Sequence, residues 1–124
     1  FAAMLTSEGR INGEQFLQPE TIRLFTTPVN KAQHTRALGW DTRSLEGYSS
    51  AGQYFGPNSF GHTGFTGTSI WTDPGQDLYV ILLTNRVYPT RDNRGHIPVR
   101  PALADIAYQA IQGDAELLLP SRDR

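Results

Sequence analysis

The chain has no cysteine, a single lysine and only three histidines among its 124 residues. Without cysteine there is no disulfide framework, no thiolate nucleophile and no Cys-ligated zinc, and the redox compartment stays open. His34, His62 and His96 lie far apart with no His-x-x-x-His pair, so the spacing offers no metal site. No apolar run approaches the roughly 20 residues of a membrane span. A formal net charge of -1 supplies no basic surface for nucleic acid. Lys31 is the only lysine and Pro28 stands three residues before it, so the sequence contains no Ser-x-x-Lys. Gly67-Thr68-Ser69-Ile70-Trp71 lacks the closing glycine of a Gly-x-Ser-x-Gly elbow. No cofactor is expected.

What is present reads as a soluble globular composition, 38% hydrophobic and 19% charged, somewhat rich in glycine (12) and proline (8). "FAAMLTSEGR" reads as the last turns of a helix with Phe1, Met4 and Leu5 on one face and Gly9 as a left-handed cap. Asn12-Gly13 is a two-residue turn signal. "QPETIRLFTTP" reads as a helix with Pro19 at its first position, a buried face of Ile22, Phe25 and Leu24, and Pro28 as its stop. "ALGWDT" is a short strand, followed by a long loop rich in glycine, serine and aromatics.

Thr66 to Thr72 alternates, "DPGQD" supplies a turn, and Leu78 to Thr84 reads as a return strand apolar on both faces, expected in the sheet interior. "RPALADIAYQAIQG" reads as an amphipathic helix whose stripe is Leu103, Ile106, Ala107, Ala110 and Ile111. The predicted class is α+β, an antiparallel sheet with flanking helices. Residues 1–113 form the expected domain portion, and 114–124 a flexible C-terminal tail. Met4 lies inside the opening helix, and two helices are too few to cover both faces of a sheet. Both observations point to a piece of a larger protein.

One stretch concentrates unusual residues. "FGHTGFTGTSIWTDPG" holds four glycines and a histidine at the lip of the sheet, with His62-Thr63-Gly64 read at a strand start. Gly61, Gly64 and Gly67 mimic a phosphate-binding loop, but no P-loop lysine follows and the stretch leads into a strand.

"FGHTGFTGTSIWTDP" followed by "LYVILLTNRVYPTRDN", with "LQPETIRLFTTP" and "ALGWDT" ahead of them, resembles the serine β-lactamase and penicillin-binding-protein superfamily. The similarity runs from Phe1 to Ile111 and favours the esterase- and class C-like branch, in which His-Thr-Gly replaces Lys-Thr-Gly. It implies the C-terminal portion of a β-lactamase-like (serine transpeptidase) fold. It also implies hydrolysis of a β-lactam, ester or peptide amide through an acyl-serine intermediate.

In that reading His62 takes the place of the motif's cationic residue, orienting substrate or assisting proton transfer. Thr63 offers its hydroxyl to the substrate, and Gly64 lets the substrate backbone approach. The Phe65 N–H supplies one oxyanion donor; the other belongs to the nucleophilic serine. Asn85 and Arg86 either line the pocket or brace the loop after it. The serine and lysine of Ser-x-x-Lys and the tyrosine-bearing element precede this region in the family, so the chain alone is expected to be inactive.

The partners implied are a small-molecule or peptidoglycan-like substrate, the N-terminal part of the same enzyme, and a second copy of the chain through an uncovered sheet face. A periplasmic or extracellular location follows from the resemblance. The alternative reading is a non-catalytic module that binds a partner or complements another chain.

Overall fold

The computed structural model describes residues 1–30 and 33–113; the expected tail at 114–124 and Lys31 lie outside the described residues. Helix α1 (Ala2–Thr6) leads into a hairpin of β1 (Arg10–Ile11) and β2 (Glu14–Gln15). Asn12 and Gly13 both have positive φ, 51° and 86°, as a tight two-residue turn of this hand requires. The helix closes as its sequence foretold: the Gly9 N–H donates to the Met4 carbonyl at 2.8 Å from a left-handed φ of 88°. Helix α2 (Pro19–Thr26) starts on Pro19, which lacks the N–H that a first turn leaves unpaired.

Four strands then form one antiparallel sheet in the order β3 (Asp41–Thr42), β4 (Phe60–Thr63), β5 (Ser69–Asp73), β6 (Leu78–Leu82). Asp73 caps the turn between β5 and β6, its Oδ1 accepting from the Gly75 N–H at 3.0 Å. Helix α3 (His96–Ile111) follows, with Pro101 inside it.

Register decides the layering. Phe60 faces Thr72, and Gly61 faces Trp71, which faces Val80. Facing residues share a side of an antiparallel pair, and neighbours along a strand alternate. Phe60 therefore points to one layer, where it packs with Met4, Leu5 and Ile22, flanked by Ile11 and Trp40. Trp71 points to the other, with Ala51, Phe55 and Ala104, flanked by Leu78, Val80 and Tyr108. The result is a helix–sheet–helix sandwich with a small core on each side, which is the α+β class expected.

Four local expectations change. His62-Thr63 ends a strand, and the strand of the alternating segment begins only at Ser69. In α2 only Ile22 is buried, packed with Met4 and Leu5; Leu24 and Phe25 are 62% and 45% exposed. Strand β6 is the last of the described sheet, and its Tyr79 and Ile81 are exposed. Five residues of α1, about 7.5 Å of helix, are too short to cover it.

Helix α3 also turns Ala104 and Tyr108 to the sheet, leaving Ile106 and Ile111 about half exposed. Two polar anchors override the apolar stripe. Asp105 accepts from the Gln53 N–H at 2.6 Å, and Arg100 reaches carbonyls beyond the end of β4. Those two sets of bonds fix the helix's rotation.

The two-core arrangement has a measurable consequence. Phe60→Ala should cost about 3–5 kcal/mol in urea unfolding, the usual range for a buried phenylalanine. Ile81→Ala should cost less than half as much, since its side chain is half in water already. Equal losses would overturn the reading of Ile81 as an uncovered residue on the face that buries Phe60.

Candidate functional site

Strand β3 pairs with β4 only at Phe60 and Gly61. Beyond that point the outer backbone edge of His62 and Thr63 has no strand partner among the described residues. The sheet thus opens where the unusual sequence begins, and the chain turns through Gly64–Thr68 into β5.

The turn is held from behind. Arg100 of α3 donates from Nη2 to the Gly64 and Thr68 carbonyls, each at 3.0 Å, and from Nε to Gly67 at 3.2 Å. Arg86 donates from Nε to the Phe65 carbonyl at 2.7 Å, and its own N–H reaches Thr66 at 3.0 Å. The Thr84 hydroxyl donates to the same Thr66 oxygen at 2.7 Å. Five consecutive carbonyls, from residue 64 to 68, therefore all accept. The Gly64 N–H closes the turn on Thr68 at 2.8 Å, and Gly67 on Gly64 at 3.1 Å. Among the described residues, the N–H groups of Phe65 and Thr66 donate to nothing.

Glycine is needed here for internal reasons. A Cβ on Gly64 would overlap Thr68 Oγ1. Gly67 has a φ of 91°, where side chains are strained, and its α-carbon faces Thr84. The sequence reading assigned Gly64 to ligand approach; its own turn already explains it.

His62 is exposed at the end of β4, with Nδ1 2.8 Å from the Thr63 carbonyl oxygen and Nε2 3.2 Å from Arg36 Nη1. Thr63 is half-buried beside it, facing Ser69 across the ladder. The Phe65 ring is 63% exposed and carries Arg86 at 4.5 Å and Arg91 at 5.7 Å from its centroid. All four residues predicted for the site, His62, Thr63, Gly64 and Phe65, thus lie together at the open end of β4.

Arg86 braces the turn, the structural member of its two expected roles. Phe55 and Phe60 belong to the two cores, and Tyr54 stacks on Tyr108 at 5.7 Å. Arg36 and Arg100 were not singled out from sequence. They lie 26 and 36 residues from their partners His62 and Gly64, and no local pattern links them.

The site is electropositive. Burial, aided by the charges of Arg100, Arg86 and Arg94, draws the His96 imidazole below its ordinary range. Burial is likewise the main reason that Arg100 lies below the ordinary arginine value. Among the described residues none of these arginines is ion-paired with a carboxylate; the recorded pairs involve only Arg23 and Arg36. No group of three or more metal-ligating side chains occurs among the described residues.

Comparison with known proteins agrees in direction. The family model described as Beta-lactamase matches residues 1–104. An N-acetylmuramyl-L-alanine amidase of Bacillus subtilis is 36% identical over 87 residues, 67% of this chain and 19% of that protein. A protein of Escherichia coli K12, provisionally named a D-alanyl-D-alanine carboxypeptidase, is 34% identical over 76 residues, 58% of this chain and 17% of its own length. The chain therefore spans less than a fifth of either curated relative. A crystal structure of a beta-lactamase from Mycobacterium bovis superposes with a TM-score of 0.68 at 23% identity, covering 90% of this chain and 41% of that one; it establishes the shared fold.

Two measurements follow from the geometry. Gly64→Ala should destabilise the chain by about 1–3 kcal/mol, the cost of overpacking, and adding Thr68→Ala should recover most of it. A loss that the second change leaves untouched would mean the turn needs glycine for another reason. Histidine 96 gives a pH test. Its folded-state value is lowered, so the unfolded chain binds the extra proton as pH falls through the ordinary value of 6.5. Its stabilising contribution is complete above that value and is lost on further acidification. Unfolding midpoints measured from about pH 7.5 to 5 should fall less steeply in His96→Gln than in the unaltered chain; parallel profiles would refute the shift.

Proposed function

The chain belongs to the beta-lactamase family, a family of hydrolase type, and on that premise we propose that it forms the substrate-binding wall of a serine hydrolase. The observation that carries the reading is the turn at 64–68. All five of its carbonyls are engaged by Arg86, Thr84 and Arg100 or within the turn, while among the described residues the Phe65 and Thr66 N–H groups stay free. A fixed, unpaired backbone N–H at an open strand edge is what stabilises a developing oxyanion. Removing one such donor typically costs about 10²–10³ in rate.

In this mechanism an extended acyl substrate lies along β4 at His62 and Thr63, where no strand covers the edge. The scissile carbonyl oxygen sits at the Phe65 N–H. Attack by a serine hydroxyl, its proton passing to a base, turns that carbonyl tetrahedral, its oxygen carrying the negative charge that the amide receives; collapse expels the amine or alcohol, which takes up that proton, and leaves an acyl-serine, which water hydrolyses to the acid and free serine. The serine and its base come from sequence outside these 124 residues, because no Ser-x-x-Lys occurs within them. Unpaired arginines around the turn favour a substrate that carries a carboxylate. The names of the relatives, an amidase and a D-alanyl-D-alanine carboxypeptidase, favour cell-wall peptide amides over other acyl compounds.

A peptide ending in D-alanyl-D-alanine, titrated into the ¹⁵N-labelled chain, should move the backbone amide signals of His62, Phe65 and Thr66 before any others. After incubation with a chromogenic cephalosporin, the intact mass should be unchanged. Shifts confined to other parts of the molecule would refute the binding wall. A stable mass gain of one acyl group would show a nucleophile within the chain and refute the division of labour.

A further inference from the structure

Arg36 lies 26 residues before His62, yet its guanidinium closes on the imidazole across the β3–β4 edge. Its Nε is 2.8 Å from Asp41 Oδ1, and Arg36 and Asp41 face each other as an antiparallel bridge. Its Nη1 is 3.2 Å from His62 Nε2. On the far side of the ring, Nδ1 is 2.8 Å from the Thr63 carbonyl oxygen. A carbonyl can only accept and a guanidinium can only donate. The two contacts together require a proton on Nδ1 and a lone pair on Nε2.

We propose that Arg36, anchored by Asp41, is a positioning residue that fixes His62 in the Nδ1–H tautomer and occupies its acceptor nitrogen. The contacts form a directed chain: Asp41 accepts from Arg36, Arg36 donates to the ring, and the ring donates to Thr63. The ring is locked in rotation as well, since turning it over would set Cε1 against the guanidinium and Cδ2 against the Thr63 carbonyl, breaking both hydrogen bonds. Arg36 Nη2 has no hydrogen-bond partner among the described residues. The free donor at this corner is therefore a guanidinium N–H in a rigid fork, and the imidazole acts by holding it. The tautomer follows from contacts within the chain; only its consequence for a bound ligand rests on reading β4 as a substrate wall.

The test is ring ¹⁵N NMR on the whole 124-residue chain at about pH 9, above the ordinary histidine range. The unaltered protein should show His62 protonated on Nδ1 with a free-base signal at Nε2. Arg36→Met keeps an unbranched side chain without the donor, and Asp41→Asn loosens the anchor. The Arg36 side chain is 61% exposed, so neither its loss nor its replacement opens a cavity.

In Arg36→Met the ratio of Nε2–H to Nδ1–H should rise about five-fold, the weight of one ordinary net hydrogen bond. Asp41→Asn should move it the same way by less, and Arg36→Lys should restore much of the original ratio. An Nε2–H ring in the unaltered chain would overturn the proposal. So would an unchanged ratio in both the Met and Asn variants, since the Thr63 carbonyl would then be acting alone. The readout needs no ligand and no turnover, so a failed peptide titration would sink the substrate wall and leave this assignment standing.

Discussion

Phe60 stands opposite Thr72 and Gly61 opposite Trp71, and a slip of one residue between β4 and β5 would send each to the wrong layer. Phe60 would leave the core of Met4, Leu5 and Ile22, and Trp71 would leave that of Ala51, Phe55 and Ala104. Neither core is large, so neither tolerates the exchange. The same register sets where the ladder stops: with Thr63 opposite Ser69, the five residues between them must turn back. The site is the remainder left over when two small cores have each claimed their aromatic.

Helix α3 converts that remainder into a fixed geometry. A turn with five carbonyls and no partners would be free to rotate its peptide planes. Arg100 reaches three of those oxygens from one guanidinium, and Arg86 and Thr84 take two more from the far end of β6. Planar guanidinium groups suit this work because their donors are spaced in a rigid fork. The Gly64 and Phe65 carbonyls, drawn backward by Arg100 and Arg86, tilt their peptide planes and direct the Phe65 and Thr66 N–H groups outward. Burial lowers the Arg100 value for the same reason that it anchors well: the charge has exchanged water for backbone oxygens.

How much of this was legible in the sequence depends on separation along the chain. Asn12-Gly13, Pro19 and Asp73-Pro74-Gly75 announce themselves, because a turn or a helix start is specified by the residues within it. The candidate residues His62 to Phe65 were legible as a cluster through the ordered similarity of four segments, which composition alone would have missed. The position of that cluster within its strand was not, since Gly61 lowers strand propensity on paper while the ladder to β5 overrides it. The α3 stripe misled for a related reason. Hydrophobic spacing assumes that burial alone rotates a helix, whereas here Arg100 and Asp105 do so through bonds to backbone groups far away in sequence.

The same distinction explains why histidine can stand in a position that the family resemblance gives to a cation. Arg36 arrives from the strand connection ahead of β3, pinned by Asp41, and places its guanidinium within 3.2 Å of the ring. The pairing of β3 with β4 is only two residues long. Its brevity serves two ends: it leaves the His62–Thr63 edge uncovered, and it brings the Arg36–Asp41 bridge up against that edge. A longer β3 would complete the ladder and cover the His62–Thr63 edge; a shorter one would lose the arginine.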